Sequence, residues 1–128
     1  MARTLCKVFG VAFLLAGIAG FPMPHLLGFH LTLIHNVIHL ATGAVALYLG
    51  FAGSAGAVRT FSIVFGGVYL ALGVLGFVAP GVVAAGIGHA PVGSSELTPD
   101  NLFHVVVGAA FLVAGLTGPR AIPAGRAS

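Results

Sequence analysis

The sequence predicts an all-α protein: an integral membrane four-helix bundle built from two tandem helical hairpins, with pseudo-two-fold symmetry along the membrane normal. Three observations lead to this fold class. The 128-residue chain is 59% hydrophobic and 5% charged, whereas a soluble domain carries about 25% charged residues. Four apolar runs are long enough to cross a bilayer, which takes roughly 20 apolar residues in a helix. The last two runs repeat the first two.

The four predicted spans account for most of the chain. Their approximate bounds are 4–21, 31–52, 60–79 and 99–118. Because little sequence is left for a soluble part, residues 1–128 are predicted to form a single four-transmembrane-helix domain.

The first span has a second interpretation, as a signal peptide. Arg3 and Lys7 precede an apolar core that ends in the small residues of LAGIAG, a composition typical of such peptides. The third span repeats it, however. RTLCKVFGVAFLLAGIAGF from Arg3 and RTFSIVFGGVYLALGVLGF from Arg59 share nine of 19 residues at an offset of 56, where chance gives about two. We therefore expect the first span to be retained as half of a structural pair.

The second and fourth spans form the other half of the repeat. HNVIHLATGAVALYLGF from His35 and DNLFHVVVGAAFLVAGL from Asp100 share six of 17 residues at an offset of 65. Each copy contains two spans, so both copies enter the membrane in the same direction. Thr98 is a candidate N-cap of the fourth span, with Pro99 at its first helical position. The second span shows no comparable cap.

Every span carries two glycines seven residues apart. In lipid, small residues let helices approach closely, and a heptad spacing favours left-handed, near-parallel packing. The predicted helix-packing glycines are Gly10, Gly17, Gly43, Gly50, Gly66, Gly73, Gly108 and Gly115.

Two Asn–His pairs extend the glycine stripes of the second and fourth spans. Asn36 and Asn101 each come one heptad before the first packing glycine of their span, and His39 and His104 follow three residues later. We expect these pairs to face the bundle interior near the outer face, with His104 roughly 8 Å below the helix end.

The basic residues predict the orientation of the chain. They lie at the two termini and in the second connection, and are Arg3, Lys7, Arg59, Arg120 and Arg126. The first and third connections, at about 22–30 and 80–98, contain none. Since basic residues stay preferentially in cytoplasmic loops, we predict a multi-pass protein of the cytoplasmic membrane with both termini cytoplasmic.

Three interpretations of the polar pairs stay open. In the first, Asn and His side chains hydrogen-bond across helices and fix their register, so that the protein is a non-enzymatic membrane module. In the second, His39 and His104 ligate a haem b iron and give a redox-associated protein. In the third, His35 joins His39 and His104 in a Zn or Cu site, since His35 and His39 share a helical face.

Other classes of function find little support. The sequence has no nucleophile elbow and no phosphate-binding loop, so an enzyme is the less favoured class and no cofactor is predicted outright. A basic face for nucleic acid is also lacking. The predicted partner is the lipid bilayer, and a homo-oligomer or a membrane-protein partner is left open by the sequence.

The segments HNVIHLATG and DNLFHVVVG, with RTFSIVFGGVYLALGVLGF between them, resemble a bacterial family of four-span membrane proteins, domain of unknown function 4383. The resemblance covers roughly residues 3–118 and implies membrane location, four helices and no assigned activity. The chain is also distantly similar to DoxX-like four-span proteins, some of which are linked to quinol oxidation or thiol redox chemistry. That likeness is at the level of the fold and assigns no residue a role.

Overall fold

A computed structural model describes residues 1–90 and 95–118. Over these ranges the chain forms α-helices and one short 3₁₀ helix, without β-strands. The α-helices are α1 (Ala2–Ala19), α2 (Leu33–Ala52), α3 (Ala55–Val78), α4 (Pro80–Gly86) and α5 (Thr98–Thr117), and the 3₁₀ helix is Leu26–Gly28. The predicted all-helical class is therefore confirmed.

Four of these helices, α1, α2, α3 and α5, are long and apolar enough to cross a membrane. Large apolar side chains such as Phe51, Val78 and Val106 are exposed on their surfaces, as faces that contact acyl chains require. The chain thus has the character of a multi-pass membrane protein. Arg120 and Arg126 lie outside the described residues.

Side-chain caps set the starts of α2 and α3. The Thr32 hydroxyl accepts a hydrogen bond from the His35 backbone N–H at 3.2 Å, and Ser54 accepts one from Ala57 at 3.1 Å. Because a Ser or Thr cap satisfies a free N–H of the first turn, α3 begins several residues before the predicted span. Thr32 is the cap of α2 that the sequence analysis missed.

The third connection contains a helix that was not predicted. α4 begins at Pro80, whose missing N–H suits a first helical position. After the helix ends, the His89 backbone N–H donates a hydrogen bond to the Ala84 carbonyl at 2.8 Å. The Thr32 hydroxyl also donates to the Ile87 carbonyl. The third connection is therefore attached to the start of α2.

The long helices pack in the pairs α1 with α2 and α3 with α5, and glycines lie at both interfaces. A Cβ on Gly10 would meet the Leu47 side chain, and a Cβ on Gly66 would meet the Leu112 backbone. These two contacts are related by the repeat offsets of 56 and 65. Three further contacts between α1 and α2 have counterparts between α3 and α5 at the same offsets. Gly17–Leu40 corresponds to Gly73–Val105, Gly43–Leu14 to Gly108–Leu70, and Gly50–Lys7 to Gly115–Ile63.

Aromatic rings fill the space between the two helix pairs. Phe13 of α1 lies 5.8 Å from Phe65 and 5.7 Å from Tyr69, both of α3, between ring centroids. Phe65 lies 4.8 Å from Phe111 of α5. Glycines thus allow close contact between the two helices of each pair, while a phenylalanine-rich core packs one pair against the other.

Candidate functional site: a histidine cluster

The two histidines of the predicted polar pairs lie at the same distance from the start of their helices. His39 is the seventh residue of α2 and His104 the seventh of α5. At 1.5 Å per residue, each lies roughly 9 Å from the start of its helix. Because Thr32 caps α2, His39 holds the same position along its helix as His104.

His35 connects the rings of His39 and His104. Its ring centroid lies 4.3 Å from that of His39. It lies 6.1 Å from that of His104, and the His35 and His104 rings are nearly parallel, at 17°. The three side chains are 5%, 6% and 8% exposed. The structure therefore brings three imidazoles from two different helix pairs into one buried group.

An aromatic ring covers each of the two deeper histidines. Phe13 lies 5.3 Å from His39 and Tyr69 lies 4.7 Å from His104, between ring centroids. Phe13 and Tyr69 are separated by the repeat offset of 56 residues. Ring contacts at these distances are favourable beyond the area they bury, so both histidines are held in equivalent positions.

Several polar atoms in and beside this group are buried and have no hydrogen-bond partner in the part of the chain that the structure describes. They include Nδ1 of His39 and Nδ1 of His104, together with Oδ1 of Asn36 and both amide atoms of Asn101. Buried polar atoms of this kind are rare in proteins. The site thus retains hydrogen-bonding capacity that its own residues do not use.

The Asn side chains pack against glycines of the neighbouring helices. A Cβ on Gly20 would overlap the Asn36 amide, and a Cβ on Gly76 would overlap the Asn101 amide. Asn36 Nδ2 donates to the Leu31 carbonyl at 3.3 Å, a bond within its own segment. Sequence analysis missed Gly20 and Gly76, although both are identical positions of the repeat.

Asp100 attaches the first connection to the start of α5. Asp100 is 4% exposed, and its carboxylate accepts hydrogen bonds from the His30 backbone N–H at 3.3 Å and from the His30 ring Nδ1–H at 3.1 Å. The His30 carbonyl in turn accepts the His35 ring Nδ1–H at 2.7 Å. The sequence signal for this contact is that Asp100 stands at the position that aligns with His35 when the second and fourth spans are compared.

The remaining histidines surround His30. The ring of His25 lies 5.6 Å from the His30 ring and that of His89 lies 4.9 Å from it, both nearly perpendicular. The hydrogen bond from the His35 ring to the His30 carbonyl joins these three histidines to the buried three. We call all six the histidine cluster: His25, His30, His35, His39, His89 and His104.

Two small cavities flank the histidine cluster. One of about 180 Å³ lies against Phe13, Phe103 and His39, and one of about 190 Å³ lies against Tyr69 and Ile87; His35 and His104 line both. Pockets for drug-sized ligands measure about 300–1,000 Å³, and a porphyrin is larger than most such ligands. The two cavities that the described residues form at the cluster are therefore smaller than a haem needs, and the haem b interpretation stays a prediction.

The Zn or Cu interpretation also stays a prediction. His35, His39 and His104 share one group, but across residues 1–90 and 95–118 no three His, Cys, Asp or Glu side chains are placed to hold one metal ion. Imidazoles that bind a metal point their nitrogens at a common centre about 2 Å away, whereas the His35 ring is tilted by 48° against His39 and stacked at 17° on His104.

The chain is similar to a known protein family over most of its length. A family model described as Domain of unknown function (DUF4383) matches residues 3–117. No curated protein and no solved structure matches the chain.

Proposed function

This chain belongs to the DUF4383 family, as its N-x-x-H segments predicted, and we propose that it is a non-enzymatic membrane module whose Asn–His pairs join the helices near the outer face. The observation that carries this proposal is the contact of His35 on α2 with His39 and with His104 on α5. Since α2 and α5 belong to different helix pairs, the cluster connects the two halves of the protein through polar groups.

The recurring contacts support a bundle of two tandem hairpins. Each glycine contact between α1 and α2 has a counterpart between α3 and α5 at the offsets of the sequence repeat. Two hairpins that enter the membrane in the same direction are related by an axis along its normal. The histidine cluster then lies at one membrane face, while Arg3 and Arg59 lie at the other.

The proposed orientation places both ends of the chain in the cytoplasm of a bacterial cell and the histidine cluster near the outer face of the membrane. Cysteines introduced at the exposed positions Ser95 and Ala55 test it, in a Cys6→Ala background. We expect a membrane-impermeant maleimide added to intact cells to label the Ser95→Cys variant and not the Ala55→Cys variant. Permeabilised cells should label both, which controls for reactivity. The reverse pattern in intact cells would contradict the orientation.

The structural role of the Asn–His pairs is tested by Asn36→Leu and Asn101→Leu. We expect Asn36→Leu to lower the free energy of unfolding by about 1 kcal/mol, because it removes the buried bond to Leu31. Asn101→Leu should cost less, since its amide has no partner among the described residues. Unfolding by dodecyl sulfate in mixed micelles measures both.

The matched control for these variants is Tyr48→Leu, at an exposed position of α2. It changes the same helix without touching the cluster, so its unfolding should stay close to that of the parent protein. An Asn36→Leu protein as stable as this control would count against a structural role for the pair.

A further inference from the structure

A second cavity region lies at the end of the helices opposite the histidine cluster. The starts of α1 and α3 and the end of α5 enclose about 440 Å³, lined by Arg3, Arg59, Val58 and Thr117 among others. We call it the arginine cavity. Its volume falls within the range of about 300–1,000 Å³ that is usual for ligand sites.

The two arginines reach this cavity because they are equivalent in the repeat, at the start of each copy. Arg3 donates to the Gly53 carbonyl at 2.8 Å and to the Leu49 and Gly50 carbonyls at 3.4 Å, which fixes its guanidinium at the end of α2. The Nε atom of Arg59 is buried and has no hydrogen-bond partner within residues 1–90 and 95–118. One guanidinium is thus anchored, and the other has a donor nitrogen that is not used.

No acidic side chain of the chain neutralises these charges. The sequence contains two acids, Glu96 and Asp100. Asp100 pairs with His30 at the other end of α5, and Glu96 comes just before the start of that helix. Arg3 is exposed and Arg59 is partly buried, so among the described residues the arginine cavity carries two positive charges without an acidic partner. Such a site favours an anion.

We propose that the arginine cavity binds the phosphate of an anionic phospholipid headgroup, and this rests on the orientation proposed above. A guanidinium presents N–H groups that match phosphate oxygens. Basic pockets between membrane helices on the cytoplasmic side suit such headgroups. Val58 and Ala55 supply apolar wall, against which the start of the acyl chains packs.

The test is native mass spectrometry of the purified protein in detergent, titrated separately with dioctanoyl phosphatidylglycerol, dioctanoyl phosphatidylcholine and inorganic phosphate. We expect one phosphatidylglycerol to bind more tightly than the other two probes. Arg59→Gln should weaken phosphatidylglycerol binding about tenfold, as the loss of hydrogen bonds to a charged group implies. Arg59→Lys should keep part of the affinity, because the ammonium keeps the positive charge but cannot make the two parallel hydrogen bonds of a guanidinium.

The control is Lys7→Gln, since the Lys7 ammonium lies 4.5 Å from the Phe51 ring centroid rather than in the cavity. It should bind phosphatidylglycerol as the parent protein does. Equal binding of both lipids, or full binding by Arg59→Gln, would overturn the proposal. Inorganic phosphate bound as tightly as phosphatidylglycerol would overturn the lipid assignment. The assay needs no intact membrane, so its failure is distinguishable from a wrong orientation, which the cysteine labelling reports.

Discussion

Gly66→Val is expected to lower the free energy of unfolding by about 3 kcal/mol, at the upper end of the usual cost of overpacking. A Cβ at Gly66 would meet backbone atoms of Leu112 and the carbonyl oxygen of Gly108. Backbone atoms cannot rotate away as a side chain can, so α3 and α5 would have to separate along their interface. Unfolding by dodecyl sulfate in mixed micelles measures the loss.

The adjacent glycine provides the matched control. A Cβ at Gly67 would meet nothing within 4 Å, so Gly67→Val changes the helix propensity of α3 by the same amount without a clash. Gly10→Val, the counterpart of Gly66→Val in the first repeat, should cost an intermediate amount because the flexible Leu47 side chain provides most of the close contacts. Equal losses at Gly66 and Gly67 would show that close helix packing is not the reason for glycine here.

Phe111→Ala is expected to have the second large effect, a loss of about 3–5 kcal/mol in the free energy of unfolding. Phe111 is 0% exposed, and its ring lies 4.8 Å from Phe65 and 5.6 Å from Phe9 between centroids. Its truncation leaves a cavity where the two helix pairs meet. The dispersion attraction between these close-packed rings disappears with the side chain, and lipid does not replace it inside the protein.

Phe77→Ala is the control for this variant. Phe77 is 43% exposed, and much of the surface that its removal changes already faces outward, where acyl chains fill the space. The same detergent unfolding series should show a loss well below that of Phe111→Ala. Comparable losses would mean that the central aromatic core does not hold the two pairs together.

The membrane helices could be predicted from the sequence because each depends on local properties. Apolar length alone identifies a span, and the observed α2 (Leu33–Ala52) and α5 (Thr98–Thr117) lie close to the predicted 31–52 and 99–118. The family could be recognised for a similar reason, because HNVIHLATG and DNLFHVVVG are continuous segments whose residue pattern is visible without the fold. α4 was missed because PGVVAAG is too short to show a helical period.

The site could be predicted only in part. His39 and His104 are conspicuous because polar residues in an apolar run are costly, whereas His25, His30 and His89 lie in or near connections, where histidines are usually ordinary loop residues. Nothing in the spacing of His30 indicated that its backbone and ring would both donate to Asp100, 70 residues away. A contact between two connections depends on how the loops fold back over the helix ends.

The sequence by itself determined that this chain forms four long apolar helices, because hydropathy is a local property that can be read along the chain. Only the tertiary structure decided which atoms meet: that glycines close each pair, that phenylalanines fill the middle, and that six scattered histidines share one end. The physical reason is that a helix forms through bonds between near neighbours, whereas a site forms through contacts between residues that are distant in the chain.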